Sequence, residues 1–270
     1  VLNQTYADFE LLVLDNASTD ETSEILARYR DPRLRTFRND RNLGFIGNVE
    51  RGRTLARGHF LVDIGSDDVW EPGLLGAVAA FWERHPDLSF MHMPAVWIDA
   101  EGRSCGRIDA RWREVTPGTE AFVEVFERGF CFSGMFMRRS LLEEIGPLDR
   151  YWDDMLDLWW FLQLSLRGDV GYLDEPLVRF RLHDAPLSAS LLVKGQGFRH
   201  HVAVASSAFD WPAARAAGLT PADRQRALRA IVLESIAQLH AVRDRGTRRD
   251  VFEALRVLLQ IEPAAALRPA

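Results

Sequence analysis

His59-Phe-Leu-Val-Asp-Ile-Gly-Ser-Asp-Asp-Val-Trp70 is the stretch on which the reading of this chain turns. Its first six residues form a largely apolar run, and two adjacent carboxylates, Asp67 and Asp68, follow in a polar turn before Pro72 opens the next helix. A buried strand that ends in a loop of acidic residues is where an open α/β sheet places its ligand chemistry. Ionised carboxylates in such a loop offer hard oxygen ligands to a divalent cation, which in turn serves a phosphate-bearing substrate. Taken alone, an Asp-Asp pair is more often a solvated turn, so the flanking sequence has to decide.

Upstream, Phe9-Glu-Leu-Leu-Val-Leu14 reads as a short buried strand that ends in Asp15-Asn-Ala-Ser-Thr-Asp-Glu21. Ser18 and Glu21 have the spacing of a capping box, and Ile25, Leu26 and Tyr29 supply an apolar face for a helix expected to stop at Asp31-Pro32. A second strand is expected around Leu34 to Phe37. Asn42-Leu-Gly-Phe-Ile-Gly-Asn48 then turns into a helix that runs through Ala56 and is closed by Gly58. Strand and helix patterns alternate up to the Asp pair, which argues for an α/β fold with a mainly parallel sheet and polar loops gathered at one edge.

With 270 residues, 47% of them hydrophobic, the chain can bury one good core plus an appended layer. A net charge of -6 argues against a nucleic-acid surface, because phosphate backbones demand clustered positive charge. Lys194 is the only lysine, so no phosphate specificity is read from the arginine-dominated cations. Cys105 and Cys131 have no metal-ligand spacing and suggest reduced thiols in a cytoplasmic protein. The longest apolar stretch, near Gly73 to Trp82, is too short to span a bilayer, and no signal-peptide pattern is expected. Beyond His183, Asp184 to Ser190 reads as a loop and Lys194 to Gly197 as a hinge. Three helices follow, near His200 to Phe209, from Pro221 through Val242, and from Asp250 to Gln260. In the second, Ala227, Ile231, Ile236, Leu239 and Val242 form an apolar stripe expected to pack on the preceding domain. It lacks the basic excess and bulky aromatics of a membrane-surface helix.

Leu12-Val-Leu-Asp-Asn-Ala-Ser-Thr-Asp20, Asn42-Leu-Gly-Phe45, Ala56-Arg-Gly-His-Phe60 and Ser66-Asp-Asp-Val-Trp-Glu-Pro72 occur in the order and spacing of a known family. Further on, Phe132-Ser-Gly-Met-Phe-Met-Arg-Arg-Ser-Leu-Leu142, Gly146-Pro-Leu-Asp149, Leu156-Asp-Leu-Trp-Trp-Phe-Leu-Gln-Leu-Ser-Leu-Arg-Gly168 and Tyr172 through His183 continue the pattern. Over about residues 1 to 190 the chain resembles the large inverting, family 2-like group of GT-A glycosyltransferases. The resemblance implies a nucleotide-diphospho-sugar transferase-like sheet flanked by helices. Residues 1–100 would be its nucleotide-sugar-binding part, 101–190 the acceptor-binding part of the same domain, and 191–270 a helical extension. It further implies transfer of a sugar from a UDP- or dTDP-sugar to a hydroxyl of a saccharide or glycolipid acceptor, with Mg²⁺ or Mn²⁺, in surface polysaccharide or glycoconjugate synthesis. Such an enzyme would be cytoplasmic, and peripheral contact with the inner face of the membrane is compatible with it. Family members begin with a further strand and helix, and Val1-Leu-Asn-Gln-Thr-Tyr6 resembles the end of that helix. The chain is therefore expected to be a fragment, with the strand at Leu11 to Leu14 left open along one edge.

Carried over residue by residue, the resemblance places the nucleotide base and ribose at Asp15 and Asn16, and the diphosphate near Asn42 and Gly44. An Asx turn and a positive-φ turn are the structural alternatives for these two pairs. Asp67 and Asp68 would hold the metal, with His183 completing its shell; Gly65 stands where many members carry another Asp, and Asp63 is either a replacement or a structural polar group. Asp157, on the first turn of a helix whose N-terminus favours an ionised carboxylate, would be the general base, with Asp154 in reserve. Leu156 and Gln163 depart from the family's Glu and Arg at those places. Asp153, Asp154 and Asp157 could equally form a polar helix entry. Trp152 is assigned to the acceptor cleft and Trp160 to the core. Two other functions stay open on the sequence: a non-catalytic sugar- or partner-binding remnant of the fold, and a sugar-1-phosphate nucleotidyltransferase.

Overall fold

The computed structural model describes residues 1–107, 111–148, 155–182 and 196–243. In chain order the elements are β1 (Leu11–Asp15), α1 (Thr22–Leu26), β2 (Leu34–Arg38), α2 (Gly44–Leu55), β3 (Phe60–Leu61), β4 (Val69–Trp70), α3 (Leu74–Arg84), β5 (Phe90–His92), β6 (Ala95–Ile98), β7 (Ser104–Arg107), β8 (Val115–Thr116), α4 (Gly118–Arg128), a 3₁₀ turn (Phe132–Gly134), β9 (Phe136–Arg138), α5 (Arg139–Ile145), α6 (Leu156–Ser165), β10 (Val170–Tyr172), β11 (Val178–Arg181), α7 (Gln196–Ala208), α8 (Pro212–Ala216) and α9 (Pro221–Arg243).

The fold is α/β, with sheets flanked by helices, and the pairing is mixed. Parallel pairs join β1 to β2, β5 to β10 and β6 to β11. Antiparallel pairs join β3 and β5 to β9, β8 to β10, β4 to β11 and β6 to β7. The resulting orders are β1-β2, β3-β9-β5-β10-β8 and β4-β11-β6-β7. Three of the eight described pairs are thus parallel and five antiparallel, a mixed pattern in place of the mainly parallel one expected. β6 to β7 is a direct return between consecutive strands, which enforces antiparallel pairing, and the other four antiparallel pairs join strands distant in sequence. β1 pairs with β2 alone among the described strands.

Local chemistry explains where elements start and stop. The expected capping box does not form, because the Ser18 amide turns back to Asp15 Oδ1 at 2.8 Å and Asp20 Oδ1 accepts from the Thr22 amide at 3.0 Å. α1 ends at Leu26, well short of Asp31, and Ile25 and Tyr29 remain 45% and 53% exposed. A helix gains most of its stability from packing an apolar face, and this one has no buried residue, with Leu26 half-covered. The expected strand over His59 to Ile64 is hydrogen-bonded only at Phe60 and Leu61. Residues 62–68 leave the β3 sheet and cross to the β4 sheet. Phe60 is 38% exposed and stacks on Trp82 at 4.0 Å, so the buried alternation expected there begins only after it. Val62 and Ile64 pack against the core beneath α3, β4 and β11.

A larger core gathers α4, α6, β5, β9 and β10 with Val204, Ala205 and Ala208 of α7 and Ala227 and Ile231 of α9. Ala227 and Ile231, the two residues of the stripe whose side chains are described, thus pack into this core. α6 is apolar all round and buried, with Trp160 fully inaccessible. The loop expected at Asp184 to Ser190, the third helix and Ile236, Leu239 and Val242 of the stripe lie outside the residues whose side chains are described. No described helix is long and apolar enough to cross a membrane.

Candidate active site

The loop after β1 is fixed by Asp15, which is 5% exposed. Its carboxylate accepts from the Ser18 amide, from Ser23 Oγ at 3.0 Å and from Arg38 Nη1. The hydrogen bonds from Ser18, helped by Ser23 and the Arg38 charge, pull its pKa down to about 2 against the cost of burial. Asn16 beside it is fully engaged: Nδ2 donates to Asn42 Oδ1 at 2.9 Å and to the Gly44 carbonyl at 3.2 Å, while Oδ1 accepts from Asn39 Nδ2 and the Leu43 amide. Those four bonds exhaust an amide side chain. Asn42 Oδ1 also takes the Gly44 amide at 2.8 Å, and Gly44 has φ +75, a conformation glycine adopts without strain. Of the four residues named from the sequence, Asn16, Asn42 and Gly44 therefore form one hydrogen-bonded unit, and Asp15 joins it through Asn39, whose amide donates to the Asp15 carbonyl at 2.8 Å and whose side chain donates to Asn16. A pocket of about 430 Å³ lined by Asn39, Asp40, Arg41, Leu43 and Arg51 opens beside it.

Asp67 and Asp68 are half-buried in the segment that crosses between sheets. Their carboxylates converge: a Cβ added to Gly65 would stand 2.7 Å from Asp67 Oδ1 and 3.1 Å from Asp68 Oδ2. Glycine at this position keeps that space open, where a further side chain would fill it. Asp68 is held from both sides, by the Ser133 hydroxyl at Oδ2 and by the Arg181 amide at Oδ1, 3.0 Å away. Arg181 Nε also donates to the Asp67 carbonyl at 3.0 Å, and Trp70 Nε1 to the Ser133 carbonyl at 3.2 Å. Ser133 and Arg181 were not singled out by the sequence. Alternation of Arg179 and Arg181 along β11, two residues before His183, is the signal that could have marked the second.

Two convergent carboxylate oxygens suit a hard divalent cation whose remaining positions are filled by phosphate oxygens and water. They do not make an all-protein cage, since among the described residues no three His, Cys, Asp or Glu gather at one point. His183, Asp153, Asp154 and Trp152 lie outside the described residues. Asp157 stands on the first turn of α6, half-buried, with Oδ1 accepting the Leu158 amide at 2.8 Å. Burial pushes the Cys131 thiol up to about 12, and the charges of Asp68 and then Asp157 add to the effect, so both carboxylates are within electrostatic reach of it. A larger hollow of about 760 Å³ between α4 and α9 contains none of these residues.

Solved structures of low sequence identity share this fold. Residues 1–349 of S. aureus TarS, in complex with UDP-GlcNAc, superpose at a TM-score of 0.62, 16% identity, covering 98% of this chain and 85% of that one. The mannosyltransferase PcManGT of Pyrobaculum calidifontis, in complex with GDP-Man and Mn²⁺, gives 0.52 at 18% identity, covering 98% and 76%. In sequence, a PGL/p-HBAD biosynthesis glycosyltransferase of Mycobacterium bovis is 32% identical over 151 residues, 54% of each chain. The chain spans between 54% and 59% of the length of the first curated relatives it matches. Glycosyl transferase family 2 matches residues 1–146, more than half of the 270, and those residues include the whole of the Asp15 to Asp68 constellation; the chain belongs to that family.

Proposed function

We propose that this chain is a metal-dependent inverting glycosyltransferase that moves a sugar from a nucleoside-diphosphate donor to a hydroxyl of a saccharide or glycolipid acceptor. The observation that carries the reading is that Asp68, hydrogen-bonded to Ser133, and Asp157, on the first turn of α6, are both near enough for their charges to act on the buried Cys131 thiol. One acidic centre can serve a leaving diphosphate while the other faces an incoming hydroxyl.

In this reading the loop fixed by Asp15 and the tie from Asn16 to Asn42 and Gly44 cradle the nucleotide. Asn16 acts by holding that loop, because its own hydrogen-bonding capacity is spent. Asp157 takes the proton of the acceptor hydroxyl, the acceptor oxygen bonds to the anomeric carbon, and the bond from that carbon to the diphosphate oxygen breaks with its electron pair leaving on the diphosphate. Attack from the face opposite the leaving group inverts the anomeric centre. A Mg²⁺ or Mn²⁺ ion held by Asp67 and Asp68 would neutralise the charge developing on the diphosphate. The complexes of TarS with UDP-GlcNAc and of PcManGT with GDP-Man and Mn²⁺, proteins of the same fold, support the donor class.

A thermal-shift screen of UDP, dTDP and GDP with Mn²⁺, followed by turnover of the matching nucleotide sugars with and without chelator, tests the proposal. One nucleotide at about 100 times its Kd should stabilise the fold by about 2.7 kcal/mol, and chelation should abolish turnover. Stabilisation without any turnover would favour a non-catalytic sugar-binding remnant, and no stabilisation by any nucleotide would overturn both.

A further inference from the structure

Asp63 is a carboxyl that the site described above leaves unused. It stands two residues past β3 and two before Gly65, on the segment that crosses between sheets. The residue is only partly covered, yet its Oδ2 is buried and has no hydrogen-bond partner. The opposing charge that acts on it is Arg53 of α2. Arg53 spends its Nη nitrogens on the Glu50 carboxylate and the Leu142 and Gly146 carbonyls, and its buried Nε has no acceptor. Its guanidinium lies 5.8 Å from the ring centroid of Trp160, whose buried Nε1 is also without a partner. Desolvation pushes the Asp63 carboxyl up to about 7, with Arg53 opposing.

Each buried polar group left unsatisfied costs about 1–3 kcal/mol, and native interiors hold few of them. Here Asp63 carries the unsatisfied acceptor, with the Arg53 guanidinium acting on it by charge and lying in turn over the Trp160 ring. A hydroxyl, whose hydrogen can be donated to a carboxylate oxygen, is the chemical complement of Asp63 on its partly exposed side. The location agrees: Asp63 leads directly into the Asp67–Asp68 loop, and Trp160 follows Asp157 by one turn of α6. We propose that Asp63, backed by Arg53 and Trp160, forms a subsite that binds a hydroxyl of the saccharide acceptor. The proposal rests on the transferase reading above for the identity of the ligand.

Saturation-transfer NMR on the full chain with Mn²⁺ and UDP, dTDP or GDP present, using methyl α-D-glucopyranoside and methyl α-D-mannopyranoside as probes, tests it. At least one glycoside should receive saturation from the unaltered protein. Asp63→Ala should weaken that binding about tenfold, and Asp63→Asn, which keeps an acceptor oxygen, by less. Calorimetry should find nucleotide affinity unchanged in both variants. Equal glycoside binding in Asp63→Ala and the parent, or in Asp63→Asn and the parent together with a lowered melting temperature, would show a purely structural Arg53–Asp63 pair. No saturation of either glycoside would overturn the subsite as well. Glycoside binding without affinity for any nucleotide would leave the subsite standing and sink the transferase reading.

Discussion

Asp157 is half-buried at a helix N-terminus, where the aligned peptide dipoles favour negative charge. Asp157→Asn retains the shape and removes the proton acceptor, so turnover should fall by about 10²- to 10⁴-fold while nucleotide affinity stays within about twofold. Single-turnover kinetics beside calorimetry would check the split, and near-parental turnover would move the base elsewhere. Asp68 depends on a neighbour in the same way that a metal-ligating carboxylate depends on its outer partners. Ser133→Ala removes the hydroxyl that fixes Asp68 Oδ2 and should raise the Mn²⁺ concentration for half-maximal turnover by about tenfold, leaving the melting temperature nearly unchanged. A metal titration that superposes on the parent's would show that Arg181 holds the carboxylate unaided.

Between elements, the tightest approach is the start of α4 against the end of α6. A Cβ at Gly118 would lie 2.0 Å from the Ser165 carbonyl oxygen and 2.4 Å from that of Gly168. Both are backbone atoms, so neither can swing aside as a side chain would. Gly118→Ala should therefore force the two helices apart and cost about 2–4 kcal/mol, read as a lowered urea midpoint with an unchanged slope. Because α6 also carries Asp157, the same variant should lower turnover more than nucleotide affinity. A midpoint equal to the parent's would mean that α4 starts one turn later. At this scale the sequence was legible where packing is local and periodic, as in α2 and α9. It was misleading at α1, which has no buried residue, and along β3, where the chain leaves one sheet for another after two residues.

For the whole molecule, the buried His92 and Asp15 each make stability depend on acidity, in different windows, while Asp63 with its raised pKa opposes His92 between about pH 7 and 4. His92 is fully buried with neither ring nitrogen hydrogen-bonded, enclosed by Phe90, Trp112, Phe161 and Tyr172, and burial pushes its pKa down to about 3. The unfolded chain takes up a proton at this residue below about pH 6.5 and the folded one does not, so stability falls as pH drops from about 6.5 toward 3. Asp15, held near 2, contributes stability that is present above about pH 4 and lost as pH falls toward 2. His92→Leu should remove from the parent's profile a loss on the order of 3 kcal/mol between pH 6.5 and 4, and leave the Asp15 window in place. Parallel denaturation curves for parent and variant across that range would contradict the assignment.

The strand and acidic loop at Asp15 and the turn at Asn42 to Gly44 follow from alternation and glycine chemistry within a dozen residues, and the sequence alone specified them, whereas the place of Asp157 on the first turn of α6 came from the family resemblance. Tertiary structure decided what those residues touch. Asp68 is positioned by Ser133 and Arg181, 65 and 113 residues away, and Asn16 by the loop at 39–44. It also left Asp63 without a partner in an apparently ordinary apolar run. Periodicity records which face of an element is buried, because that depends only on neighbours along the chain. Which distant group satisfies a polar atom, or fails to, depends on how sheets and helices meet in space, and no local pattern encodes that meeting.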